Sequence, residues 1–124
     1  MLPRSSYVDQ IDVKVASFSS VLQLGDSCII NGLSRALAVQ REEEQEYGNE
    51  GNFAAYSAFT EPIPLTPITE NFCYQTHHLH PIIKVNHINV IGFSSASVLH
   101  VGNSQNISME ARVKHIRQLL TRQR

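Results

Sequence analysis

Tryptophan is absent from these 124 residues and other aromatic side chains are few, which argues against a large aromatic platform for a ligand. Charge is sparse as well. A formal net charge of −1 supplies no field to draw in nucleic acid or a membrane surface. No apolar run approaches the roughly 18 residues of a membrane span. Leu2, Pro3, Arg4, Ser5 and Ser6, following Met1, do not form the apolar stretch of an export signal. The chain is therefore expected to stay on the side of the membrane where it is made. Cys28 and Cys73 are too few for a disulfide framework. Cys28, beside Ile29 and Ile30, reads as a small buried hydrophobe, and both thiols are expected to be reduced and inert. Phosphate-cradling glycine loops, paired catalytic carboxylates and basic–aromatic stripes are all missing. No cofactor, metal or nucleic-acid partner is expected.

What is present is self-similarity. Residues 8–41 and 85–118 align without a gap at one offset (102 − 25 = 77, taking Gly102 and Gly25). Val8, Ile11, Val13, Ser17, Ser20, Val21, Leu22, Gly25, Ser27, Ile30 and Arg35 recur as Val85, Ile88, Val90, Ser94, Ser97, Val98, Leu99, Gly102, Ser104, Ile107 and Arg112. Asp26 and Asn103 are a close substitution between them. Such a pattern means two copies of one supersecondary unit.

Within the first copy, Ile11 and Val13 alternate with Gln10, Asp12 and Lys14, the period-2 signature of a half-buried strand. A second strand over residues 19–24 leads to the turn Gly25, Asp26, Ser27, and a returning strand begins at Cys28. The second copy repeats this around the turn Gly102, Asn103, Ser104. These patterns predict a mainly β fold: two related β-hairpin units in one small sandwich or barrel-like domain spanning residues 1–124. A pseudo-twofold axis would relate the units. The copy-one strand carrying Leu33, Leu37 and Val39 opposite Ile30 is expected to be covered on both faces, whereas its counterpart, with Glu110 and Lys114, keeps one face wet. Strand is expected through about Lys114, then a short C-terminal helix or fraying, since Met109, Val113, Ile116 and Leu120 also fall at helical spacing.

Residues 42–80 connect the copies. They open with Glu42, Glu43, Glu44 and Glu46, an acidic loop, and continue into Pro62, Pro64 and Pro67. Those prolines impose an extended path that cannot be a central strand and suits a partner's groove. Two small hairpin units leave sheet edges open, which predisposes the chain to assemble.

Chemistry was sought in two places. Gly25-Asp26-Ser27 invites comparison with a serine nucleophile, but the second copy keeps glycine and serine while exchanging Asp26 for Asn103. Aspartate and asparagine share tolerance of positive φ and hydrogen bonding to turn backbone, so a turn is the reading. Cys73, His77, His78 and His80 offer soft sulfur and imidazole for zinc or copper. They form a single cluster where structural sites use two, so a polar loop end is preferred. Arg112, Lys114, Arg117, Arg122 and Arg124 place half of the basic residues in the last thirteen positions. With Pro62, Pro64 and Pro67, the residues Arg112, Lys114 and Arg117 are candidate contacts for a partner.

Asn31 to Glu42, Tyr47 to Gly51, Pro62-Ile63-Pro64, Pro81 to Asn86 and Arg112 to Arg117 together resemble the GerPE family of spore germination proteins of Bacillus-type spore formers. The repeated unit, from Val8 through Ser27, also resembles a shorter sister family, GerPD, which looks like a single copy of what is doubled here. The resemblance implies synthesis in the mother-cell cytoplasm during sporulation, then residence in the spore coat, in its inner layers. It implies homo- or hetero-oligomeric assembly with other GerP-group proteins, including a GerPD-like relative, and a coat left permeable to small hydrophilic germinants. It carries no catalytic residue. The alternatives are a small hydrolase or metal enzyme acting on coat or cortex, centred on Ser27 or the Cys73–His80 stretch, and a germinant-binding module.

Overall fold

The structure is a computed structural model and describes residues 4–42 and 51–119. It is mainly β. Six strands appear in order: β1 (Ser5–Val13), β2 (Val21–Leu24), β3 (Ser27–Arg41), β4 (Ile82–Val90), β5 (Val98–Val101) and β6 (Ser104–Gln118). Between β3 and β4 come a 3₁₀ turn at Phe53–Ala55 and one short helix, α1 (Ser57–Thr60).

The strands pair as β1 with β4, β2 with β5 and β3 with β6, in three two-stranded sheets. The β1–β4 and β2–β5 pairs are parallel, and every partner stands 77 positions away, as Val8 faces Val85 and Val21 faces Val98. Hairpins are therefore not formed. The reason lies in the turn: the Ser27 N–H, which a tight hairpin would return to its own β2, donates instead to the Asn103 carbonyl at 2.8 Å. Gly25 N–H likewise donates to the Val101 carbonyl at 2.8 Å. Nor does any sheet close on itself among the described residues, so the barrel-like closure expected is not seen there.

Period-2 burial is strongest in β1 and β4, whose patterns are identical and whose Ile11 faces Ile88 and Val13 faces Val90. Like apolar side chains stack on one another because parallel registry sets each residue against its counterpart. Chain direction changes between β1 and β2 through Phe18 and Ser19, and between β4 and β5 through Ser95 and Ala96, all four with φ between 50° and 59°. Non-glycine residues in that region cost about 1–2 kcal/mol each. The bends are held by bonds that offset this cost: Ser20 Oγ donates to the Ser17 carbonyl, Ser97 Oγ to the Ser94 carbonyl at 2.5 Å, and Ala96 N–H to the Phe18 carbonyl at 2.9 Å.

Tertiary contacts group the chain into two units, Met1–Ser34 with Thr66–Glu110, and Arg35–Leu65 with Ala111–Arg124. In the first, Ile30, Ala96 and Val101 are buried together with Ser34. In the second, Phe59 is buried, with Phe53 edge-on at a centroid distance of 4.8 Å and Tyr56 edge-on at 6.3 Å. Asn52 caps the 3₁₀ turn by accepting the Ala54 N–H. This aromatic cluster lies within residues 42–80, the stretch read as an acidic loop and proline-rich connector. Its signal was the three-residue spacing of Phe53, Tyr56 and Phe59.

Three further expectations are corrected. Leu33 and Val39 are exposed, so β3 is not covered on both faces. The reason is that each sheet has two strands and no layer lies over that side of β3 in the described residues. Cys28 is exposed at the start of β3, beside the Gly25–Ser27 bend, and burial on its face begins only at Ile30. Strand continues through Gln118 in place of helix, since β6 runs beside β3 and Arg41 Nε donates to Gln118 Oε1 at 2.7 Å. Leu120 lies outside the described residues, as do Glu43, Glu44 and Glu46.

Candidate functional site

In the first unit the two glycine bends meet. Gly25 and Gly102 carry positive φ (100° and 147°), which only glycine adopts readily. Asp26 and Asn103 do not, so their interchange has another basis. Asp26 Oδ1 accepts the Asn103 N–H at 2.7 Å and an Arg4 guanidinium N–H at 2.9 Å. The backbone donor first, then Arg4, holds the Asp26 carboxyl below the usual carboxylate range. A carboxylate held in this way clips the two bends together.

Arg4 is drawn in from the chain's start, with only 11% of its side chain exposed. Its Nη1 also reaches the His78 ring at 3.2 Å, and Asn103 Nδ2 donates to His78 Nε2 at 3.2 Å. His100 Nε2–H donates to the Gly25 carbonyl at 3.0 Å, which fixes the proton on that nitrogen. Arg4, Asp26, His78 and Asn103 border an open cleft of about 1020 Å³ whose other wall is the coil carrying Tyr74, His77, Leu79 and His80. The contribution of Arg4 was not visible in the sequence, because nothing at position 4 marks it as a partner for residue 26.

The two bend serines of the cleft are engaged locally. Ser27 Oγ donates to the Ile29 carbonyl at 3.2 Å, and Ser104 Oγ to the Asn106 carbonyl at 3.2 Å. Both serines brace their own bend. No group of three or more His, Cys, Asp or Glu among the described residues is placed to hold a metal ion. Cys73 is exposed and His77, His78 and His80 lie on coil, so the shared-face arrangement of a strand does not arise.

Of the residues singled out for a partner, Pro62, Pro64 and Pro67 lie on exposed coil outside any strand. Arg112 and Lys114 are engaged inside the second unit. Arg112 Nη1 donates to the Ala58 carbonyl at 3.2 Å and the Glu61 carbonyl at 2.5 Å, and Lys114 stands 5.4 Å from the Tyr56 ring centre. They close off the C-terminal end of α1 and its aromatic cluster. Arg117 is exposed.

The most open feature is the strands' outer edges. With two strands per sheet, each strand keeps one edge unpaired among the described residues. Around them Val15, Phe18 and Ile91 stand in solvent, Ile91 at 79% exposure. No helix among the described residues is long and apolar enough to cross a membrane.

Among the described residues the fold defines a small, mainly β protein of short two-stranded sheets with open strand edges. The family model for the spore germination protein GerPE matches residues 5–124, and the chain belongs to that family. A protein named probable spore germination protein GerPE from Bacillus cereus is 29% identical over 122 residues, covering 98% of this chain and 95% of the relative. No solved structure matches.

Proposed function

We propose that this germination protein is a non-enzymatic component of the inner spore coat that keeps the coat permeable to small hydrophilic germinants. It does so by assembling with sister GerP-group proteins, a single-copy GerPD-like chain among them. The two similar segments act as two layers of one duplicated unit, and the mechanism is steric: their presence changes how coat proteins pack. The observation that carries this reading is the set of unpaired strand edges flanked by exposed apolar side chains. Soluble proteins usually cover such edges or pair them with another chain. Family membership supports the setting.

Spores lacking the protein should respond slowly to nutrient germinants, and chemical stripping of the coat should restore the rate. If stripped mutant spores stay slow, the permeability reading fails. Spores carrying Ser27→Ala should germinate like wild type. Loss of germination with normal coat assembly in that variant would point to hydrolysis instead.

A further inference from the structure

We propose that the free edge of β4 and β5 receives the first copy of a second molecule of this chain, so that molecules stack head to tail in parallel registry. This deepens the assembly reading above and rests on it for its setting.

The argument starts from the ladder already present. Val21 N–H donates to the Ser97 carbonyl at 2.9 Å, which sets Val21 opposite Val98. In a parallel pair, the residue opposite a bonded one turns its own N–H and C=O to the other side. Val98 therefore points its backbone groups at the outer edge, and β5 has no partner there among the described residues. Gly102 stands the same way, because Gly25 N–H donates to the Val101 carbonyl. Moving the first copy by one further layer places the Ser20 carbonyl of the incoming molecule at Val98 N–H and its Leu24 carbonyl at Gly102 N–H.

Side chains agree with backbone. Across the internal ladder Val8, Ile11, Val13, Val21 and Leu22 lie on Val85, Ile88, Val90, Val98 and Leu99. At the new junction the same pairs meet in reverse order, so each side chain finds the residue type it already packs against. The glycines supply a second, independent observation. A Cβ on Gly102 would stand 2.4 Å from the Gly25 carbonyl oxygen, so this layer approach requires glycine on the inner side. A Cβ on Gly25 would meet nothing within 4 Å. The space beside Gly25 is where Gly102 of the preceding molecule would bring its carbonyl under the same translation. A second copy is thus the occupant whose registry, side chains and bend all match. Head-to-tail contacts of this kind do not close and give growing stacks.

The test is sedimentation of the purified full-length chain over a wide concentration range. Weight-average mass should at least double as concentration rises, in steps of 13.9 kDa. Val98→Pro deletes only an outward N–H and should hold the chain at the single-molecule mass with an unchanged β circular dichroism spectrum. Ile82→Pro does the same at the first residue of β4, where proline is tolerated best, and decides the matter if Val98→Pro loses its β signal. A wild-type chain that stays at one mass throughout overturns the inference whatever the variants do. So does association of folded variants equal to wild type. Either result, beside mutant spores rescued by coat stripping, would remove self-stacking and leave the permeability reading standing.

Discussion

Replacing Gly102 by alanine should cost far more than replacing Gly25, although the two occupy matching bends. Both carry positive φ, so alanine at either position takes a left-handed penalty of about 1–2 kcal/mol. At Gly25 that is nearly the whole effect, because the new methyl enters open space. At Gly102 the methyl would sit 2.4 Å from the Gly25 oxygen and 2.6 Å from its carbonyl carbon. Backbone cannot swing aside as the end of a flexible side chain can. The bends must separate, which breaks or stretches the Gly25–Val101, Ser27–Asn103 and Asn103–Asp26 hydrogen bonds. At about 1 kcal/mol net for each bond, the total for Gly102→Ala comes to roughly 4–5 kcal/mol. That is a large fraction of the 5–15 kcal/mol typical of a whole domain, roughly. Urea unfolding followed by far-ultraviolet circular dichroism, at one protein concentration and with slopes compared, measures both variants. Equal midpoint shifts, or a larger shift for Gly25→Ala, would refute the close-approach argument.

The Asp26 clip should give acid sensitivity with a definite sign. Its folded pKa is lowered by the Asn103 N–H and then Arg4, so its stabilisation is present above the unfolded value of about 3.9 and is lost as pH falls through the lowered folded value. The difference in melting temperature between wild type and Asp26→Asn should therefore be constant near neutrality and close below that range; a gap that persists undiminished to strongly acidic pH would sink the assignment. In the second unit, Phe59→Ala removes the buried member of the aromatic cluster and should cost about 3–5 kcal/mol. Amide exchange should report the loss around α1, and unchanged protection there would show that the cluster does not hold this segment.

The strands and their registry were legible to different degrees. The alternation around Ile11 and Val13 correctly located β1, and the matching run from Ile88 located β4, because period-2 burial is a local property of extended chain. The bends at Gly25 and Gly102 were legible for the same reason: glycine marks the backbone position that needs positive φ. Which strands pair was not legible. Two similar segments are compatible with a twofold pair of hairpins or with translation by one layer. The decision rests on where the Ser27 N–H goes, a contact between residues 76 positions apart. Phe18 and Ser19, and Ser95 and Ala96, were invisible as bends because their side chains carry no preference for positive φ; tertiary hydrogen bonds impose it.

The candidate site divided in the same way. In the sequence Asp26 and Asn103 stand out as a paired substitution, which weighs against a catalytic role for Ser27. Their actual work, one receiving the other's N–H, needed the layers to be stacked first. Arg4 and His78 came to the same place from opposite ends of a long chain separation, which no spacing rule encodes. Arg112 and Lys114 looked like a free basic face, yet they are spent on the carbonyls and ring of a four-residue helix.

By itself the amino-acid order determined that this is a β-rich chain, with two self-similar strings, glycines at equal intervals and a family resemblance carried by contiguous strings. Those are local facts, written in neighbouring residues. Only the tertiary structure decided that β1 lies on β4 and β2 on β5 in parallel, that glycine at 102 is demanded by a carbonyl from the other segment, and that outer edges are left unpaired among the described residues. The physical reason is that backbone hydrogen-bond direction between distant segments is not a property of either segment alone.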